Sequence, residues 1–249
     1  MELIMVHGGN PNTPHLCKRA NWDYGAQFGS TVYQKPAMLD YVEGDFNKYL
    51  EQLDRYRPAI ALACDWLEHR LWHEYTSRVM AIAKLGIIPI VAAKHPEALR
   101  LTPSYCYGLE VRIGVSVPTG YMNDGWIPPR DLLKKSVARE ARTLHLLGGH
   151  PDQWKWLISY YGEVGVNILS IDGNAHYEQA YKYGKFWSQW GYYREMRGKG
   201  YNTNALAICS MMNAKRYLAN RSPVHKSQRI DACKKQLGLL PVQPLLFAV

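Results

Sequence analysis

Residues 144–187 read LHLLGGHPDQWKWLISYYGEVGVNILSIDGNAHYEQAYKYGKFW. Leu144 to Leu147 is a short apolar strand. Gly148 and Gly149 permit a tight turn or a close approach of backbone to a ligand. Pro151 suits the first turn of a helix, and Asp152 beside it suits the positive end of the helix dipole. Trp154, Leu157 and Ile158 recur at helical spacing and give that helix one apolar face. Val166 to Ile171 is a second apolar strand, ending on Asp172. Gly173 and Asn174 turn the chain, and a further helix is expected from about Ala175 to Trp187. Strand, helix, strand, helix is the unit from which parallel sheets are built. In such proteins the carboxyl ends of the strands face the active site, so Asp172 is expected where chemistry takes place.

The same grammar extends to both sides. Leu3 to His7 is a short apolar strand. Residues 10–34 are rich in Gly, Asn, Pro and Thr and are expected to form an irregular loop, long enough to serve as a functional lid. Pro36 to Leu39 is a strand ending on Asp40, followed by a helix from about Asp45 to Tyr56 that Pro58 ends. Ala59 to Cys64 is a continuous apolar run, as buried parallel strands are, and ends on Asp65. A helix from about Glu68 to Leu85 follows. Ile87 to Ala93 is the next strand, ending at Lys94 and His95. Val111 to Val117 is another, and a helix from about Pro129 to Arg142 leads into the quoted stretch. Beyond Trp190 the pattern weakens, with Ala205 to Cys209 readable as a last strand and Met211 to Ala219 as a last helix. About seven strands alternating with helices in 249 residues predict one (β/α)8 TIM-type barrel, an α/β fold, with a basic C-terminal extension. An open doubly wound sheet is disfavoured, because no G-x-G-x-x-G opens a helix after the first strand.

Composition narrows the class of function. Apolar residues are 47% of the chain, enough for a large core, yet no apolar run reaches the roughly 20 residues of a membrane span. The N-terminus carries no secretory-signal pattern. The five cysteines are scattered without a C-x-x-C pair, which fits a reducing, cytoplasmic setting. Cys209, Cys233 and His225 lack the spacing of a zinc site, so no metal is expected. Charge is uneven. Between residues 181 and 235, twelve Lys and Arg stand against Glu195 and Asp231, a balance of +10 in a chain whose total is +9. Trp187, Trp190, Tyr192, Tyr193 and Tyr201 are interleaved there. Rings among cations suit bases stacked beside phosphates, so a nucleic-acid partner is expected. Lys182, Lys185, Arg194, Arg197 and Lys199 are the candidate phosphate contacts. The plainer alternative is a solvated basic surface with the aromatic rings in the core.

Asp40, Asp65 and Asp172 each follow an apolar strand, so barrel closure would bring them to one mouth. Any one of them has an alternative duty as the N-cap of the next helix. Carboxylates placed together separate in pKa, one staying ionised and one keeping its proton, which suits glycosidic-bond chemistry. His145, His150 and His176 lie near Asp172 in sequence, but no H-x-H or H-E-x-x-H pairing supports a metal-dependent hydrolase.

Five segments, PAMLDY (36–41), RPAIALACD (57–65), RIGVSVPTG (112–120), LHLLGGHPDQW (144–154) and SIDGNAHYEQAYKYG (170–184), occur in an order that resembles the tRNA-guanine transglycosylase superfamily. The set is most similar to the phage and bacterial DNA-guanine transglycosylases of the DpdA type, which insert 7-deazaguanines into DNA. The resemblance implies a (β/α)8 barrel and base exchange without a cofactor. It implies Asp172 as the nucleophile that forms a covalent glycosyl-enzyme and Asp40 as the acid/base, although the usual D-S-G-G pattern is absent around Asp40. It implies Asp65 as the reader of the purine edge, with Gly114, Val115, Ser116, Gly148 and Gly149 lining the base pocket. The expected substrates are DNA and a 7-deazaguanine such as 7-cyano-7-deazaguanine. The Cys-rich zinc site of the tRNA-acting enzymes is missing, which favours DNA over tRNA. A target base must leave the duplex stack to reach a barrel mouth. Trp66, Tyr107 and Trp126 are candidates to stack on it, with plain packing the simpler role for each. The competing classes are a barrel that binds nucleic acid without catalysis and a metal-dependent hydrolase.

Overall fold

Continuous apolar runs suit strands buried on both faces of a parallel sheet covered by helices. In the computed structural model eight strands close into a barrel. They are β1 (Glu2–Val6), β2 (Asp23–Gln27), β3 (Met38–Asp40), β4 (Ile60–Trp66), β5 (Ile88–Ala93), β6 (Arg112–Ser116), β7 (Thr143–Leu147) and β8 (Asn167–Asp172). Each pairs in parallel with its neighbours in chain order, and β8 pairs with β1 to close the ring. The fold is therefore the (β/α)8 barrel that the strand–helix alternation predicts. The structure describes residues 1–6, 10–41, 44–67, 69–94, 97–117, 143–196, 200–220, 230, 231 and 234. The expected helix at 129–142 and the residues His7, His95, Trp126, Arg197, Lys199, His225 and Cys233 lie outside this set.

The N-terminal third differs from the expected irregular loop. Residues 10–34 hold helix α1 (Thr13–Ala20) and all of β2. Pro14 looks like a loop residue, but it occupies the first turn of α1, where its missing N–H costs nothing. Gly25 looks like a turn, but it sits inside β2 because a Cβ there would lie 2.7 Å from Val6 Cγ2 and 3.1 Å from Ile4 Cγ2. The glycine lets β1 side chains fill the space, and it is what disguises the strand in the sequence. The eighth strand is thus β2, near the N-terminus, and not Ala205 to Cys209. That apolar run belongs to one long helix, Thr203–Ala219, whose N-cap Asn202 accepts a hydrogen bond from the Ala205 N–H at 3.1 Å. A short apolar run reads as either element by periodicity alone. Packing against three other helices selects the helix here.

Among the described residues the remaining α-helices are α2 (Phe46–Tyr56), α3 (Trp72–Lys84), α4 (Glu97–Leu101), α5 (Pro151–Gly162) and α6 (Ala175–Tyr183), and the long helix Thr203–Ala219 is α7. Asp45 caps α2, its carboxylate accepting from the Asn47 N–H at 2.9 Å. The helix expected to reach Trp187 stops at Tyr183, because Gly184 takes a left-handed conformation and ends it. Lys185–Trp187 then pairs with Tyr193–Glu195 as an antiparallel hairpin. Within the basic terminal third, helix α7 packs on α1, α5 and α6. Among the described residues no helix is long and apolar enough to cross a membrane.

Candidate active site

The carboxyl ends of the strands surround a cavity of about 590 Å³. Asp40, Asp65 and Asp172 all line it, together with Gln27, Tyr41, Ser116, Gly148, Asn174 and Glu178. Barrel closure has therefore brought together three acids separated by more than 130 residues. Alternation along a strand does not suffice to explain Asp65. Leu62 and Asp65 stand an odd number of residues apart, yet both reach the cavity. The register of β4 against β5 shifts between Leu62 and Cys64, and this bulge turns Asp65 inward.

The three acids sit in different environments. The Asp40 carboxyl is pushed up to about 7, first by burial, then by the charges of Asp172 and Asp65. Burial also raises Asp65, but the ammonium of Lys94 pulls in the opposite direction. Lys94 follows β5 and donates to the Ser116 hydroxyl at the cavity rim. Asp172 accepts the Gly148 N–H on Oδ1 at 2.8 Å, and His145 Nε2 lies 3.6 Å from the same oxygen. Gly148 itself is fixed from the other side, where its carbonyl accepts the indole N–H of Trp154 at 2.6 Å. Asn174 occupies the N-cap position of α6 but makes no capping bond, and donates instead to Glu178 at 3.4 Å.

The other expected pocket residues distribute unevenly. Ser116 and Gly148 line the cavity. Gly114 lies deeper, where a Cβ would meet Leu147 at 2.8 Å and Ile90 at 3.0 Å, so the glycine makes room for the barrel's own side chains. Val115 is buried in the core. Gly149 holds a left-handed turn against Val117 and Trp154, supporting the cavity wall rather than lining it. Trp66 is fully buried against Tyr75, and Tyr107 is exposed beside Lys84, so neither lines the cavity. Among the described residues the ring that does is Tyr41. Lys94, Glu178 and Gln27 were missed by sequence reasoning. Lys94 ends a strand as the three aspartates do, and that position was its available signal.

Histidines near Asp172 are not arranged as ligands. His176 is fully buried beside Trp22, at 4.6 Å between ring centroids, and burial lowers it to about 3. Among the described residues no three His, Cys, Asp or Glu side chains are grouped to hold a metal ion. Of the basic candidates, Lys182 forms a 3.2 Å ion pair with Glu178 of the cavity wall. Lys185 and Arg194 are exposed on the hairpin, with Arg194 donating to the Tyr192 hydroxyl at 2.9 Å. Trp190 and Tyr192 are about half exposed there, whereas Trp187 is buried. His150, just past the Gly148–Gly149 turn, contacts the Tyr193 hydroxyl at 3.1 Å and ties the hairpin to the mouth of the barrel.

Among solved structures, phosphoribosyl anthranilate isomerase from Thermus thermophilus is similar over 86% of this chain and 98% of its own, with 10% identity and a TM-score of 0.47. N-(5'-phosphoribosyl)anthranilate isomerase from Pyrococcus furiosus is similar over the same shares, with 13% identity and a TM-score of 0.43. No curated protein matches the chain. A family match spans residues 28–218, which includes Asp40, Asp65 and Asp172 and leaves β1 and β2 outside. The chain belongs to the family of unknown function DUF6610.

Proposed function

We propose that this barrel is an enzyme that exchanges a guanine base in DNA for a 7-deazaguanine. The observation that supports this reading is the pairing of Asp40 with Asp172 in one cavity, the first held toward its protonated form and the second hydrogen-bonded by a backbone N–H. Such a pair supplies a proton donor and an anionic nucleophile for cleavage at an anomeric carbon. Asp172 attacks the sugar carbon, the bond to the base breaks, and Asp40 hands its proton to the leaving guanine. The resulting glycosyl ester on Asp172 is attacked by a ring nitrogen of the incoming 7-deazaguanine. That nitrogen loses its proton to Asp40, and the Asp172 carboxylate is regenerated. Asp65 accepts N–H bonds from the purine edge, with the Lys94 ammonium close to that acid.

The exposed Lys185, Arg194, Trp190 and Tyr192 on the hairpin tied to the mouth support a polynucleotide substrate. Incubation of the protein with DNA and labelled guanine tests the reading, with incorporation of label into DNA as the expected result. Metal-dependent strand cleavage would point to a hydrolase, and DNA binding without incorporation to a non-catalytic subunit. Incorporation into tRNA but not DNA would reassign the substrate.

A further inference from the structure

Beneath the cavity a chain of buried polar groups threads the barrel, and the proposed chemistry does not use it. It starts at Glu2 of β1, which is half exposed and accepts from Arg112 Nη1 at 2.7 Å. Arg112 is 7% exposed, and Nη1 also donates to Ser170 Oγ at 3.0 Å. Ser170 is fully buried, and its Oγ lies 2.7 Å from His145 Nδ1. His145 is fully buried too, and its Nε2 faces Asp172 Oδ1 at 3.6 Å with no closer partner.

The donor inventory fixes the protons along this thread. A guanidinium only donates, so Ser170 Oγ accepts from Arg112. Ser170 Oγ has a second lone pair, so the direction is set by its own buried proton, for which His145 Nδ1 at 2.7 Å is the acceptor among the described residues. An accepting Nδ1 places the imidazole proton on Nε2. We infer that His145 is a positioning residue for Asp172, a neutral imidazole locked by Ser170 and Arg112 with its Nε2–H aimed at Oδ1. With the Gly148 N–H on the same oxygen, the carboxylate is held by Oδ1 and presents Oδ2 to the cavity. The gap of 3.6 Å is long for a hydrogen bond, and a buried N–H without a partner is unfavourable. A small rotation of the carboxylate that closes it is therefore favoured. The catalytic consequence rests on the proposed base exchange, whereas the tautomer does not.

The test uses the full chain. Nitrogen-15 spectra of the histidines, with His145 assigned by its loss in His145→Gln, should show Nε2 carrying the proton and Nδ1 unprotonated. In Ser170→Ala the two tautomers should mix. Trapping of a protein–DNA adduct should slow by at least about tenfold in His145→Leu, with DNA affinity retained and the protein still folded at the assay temperature. His145→Gln, which keeps an N–H near the Nε2 position, should recover most of that rate. A proton on Nδ1, or an imidazolium, in the wild type would overturn the inference. So would His145→Leu and His145→Gln trapping adduct equally well. If the wild type forms no adduct yet shows the stated tautomer, the base-exchange reading falls and the His145 arrangement stands.

Discussion

Asp40 and Asp172 enter one cavity from β3 and β8, and the charge of Asp172 adds to burial in pushing the Asp40 carboxyl up to about 7. Two acids close together cannot both ionise freely in a site of low polarity, so the roles of donor and nucleophile follow from their surroundings.

The nucleophile tests most sharply. Asn lacks the anionic oxygen needed to form a glycosyl ester. Asp172→Asn should abolish guanine exchange and the denaturation-resistant adduct while leaving the melting curve close to wild type. Asp65→Asn should still form adduct but accept a different set of purines, because its proposed task is hydrogen bonding to the base edge. An adduct that survives in Asp172→Asn would move the nucleophile to Asp40.

The pH dependence has a defined sign. Asp40 as proton donor must be protonated, so the rate should fall as pH rises through about 7. Stability runs the same way. A carboxyl whose folded pKa lies above its unfolded value binds more protons when folded. Stability is therefore progressively lost from about pH 4 up to about 7. At pH 8, Asp40→Asn should be more stable than wild type by on the order of 4 kcal/mol, and at pH 4 the difference should vanish. Denaturant melts at the two pH values measure it.

Gly148 and Gly149 both have positive φ, at 67° and 91°, but only Gly149 is crowded. A Cβ on Gly149 would sit 2.6 Å from Val117 Cγ1 and 3.1 Å from the Trp154 indole nitrogen. Gly148→Ala should cost about 1 kcal/mol for the left-handed backbone alone. Gly149→Ala should cost about 2–4 kcal/mol, since side chains must also move. Equilibrium unfolding of the two variants separates the contributions.

Binding of DNA should weaken steeply with salt. Replacing Lys182, Lys185 and Arg194 together with Gln should reduce the slope of log affinity against log salt by about 3 if each meets a phosphate of duplex DNA. Trp190→Ala should weaken single-stranded DNA by about 1–3 kcal/mol with that slope unchanged. Fluorescence anisotropy across a salt series measures both, and a flat series would remove the hairpin from the interface.

The alternation of apolar strands with amphipathic helices in the sequence was enough to predict a parallel barrel and an acid at the end of β3, β4 and β8. Local chemistry carries that much, because burial on both faces and strand-end position are written in neighbouring residues. It was not enough for β2, whose Gly25 imitates a turn and is explained only by Val6 and Ile4 against it. Nor was it enough for Ala205 to Cys209, a run that only packing against other helices makes helical. The bulge that turns Asp65 inward, the Lys94 ammonium beside it, and the thread from Glu2 to His145 depend on partners far away in the chain. Tertiary structure alone set those, because register, burial and proton position belong to pairs of groups, and a sequence names only the members.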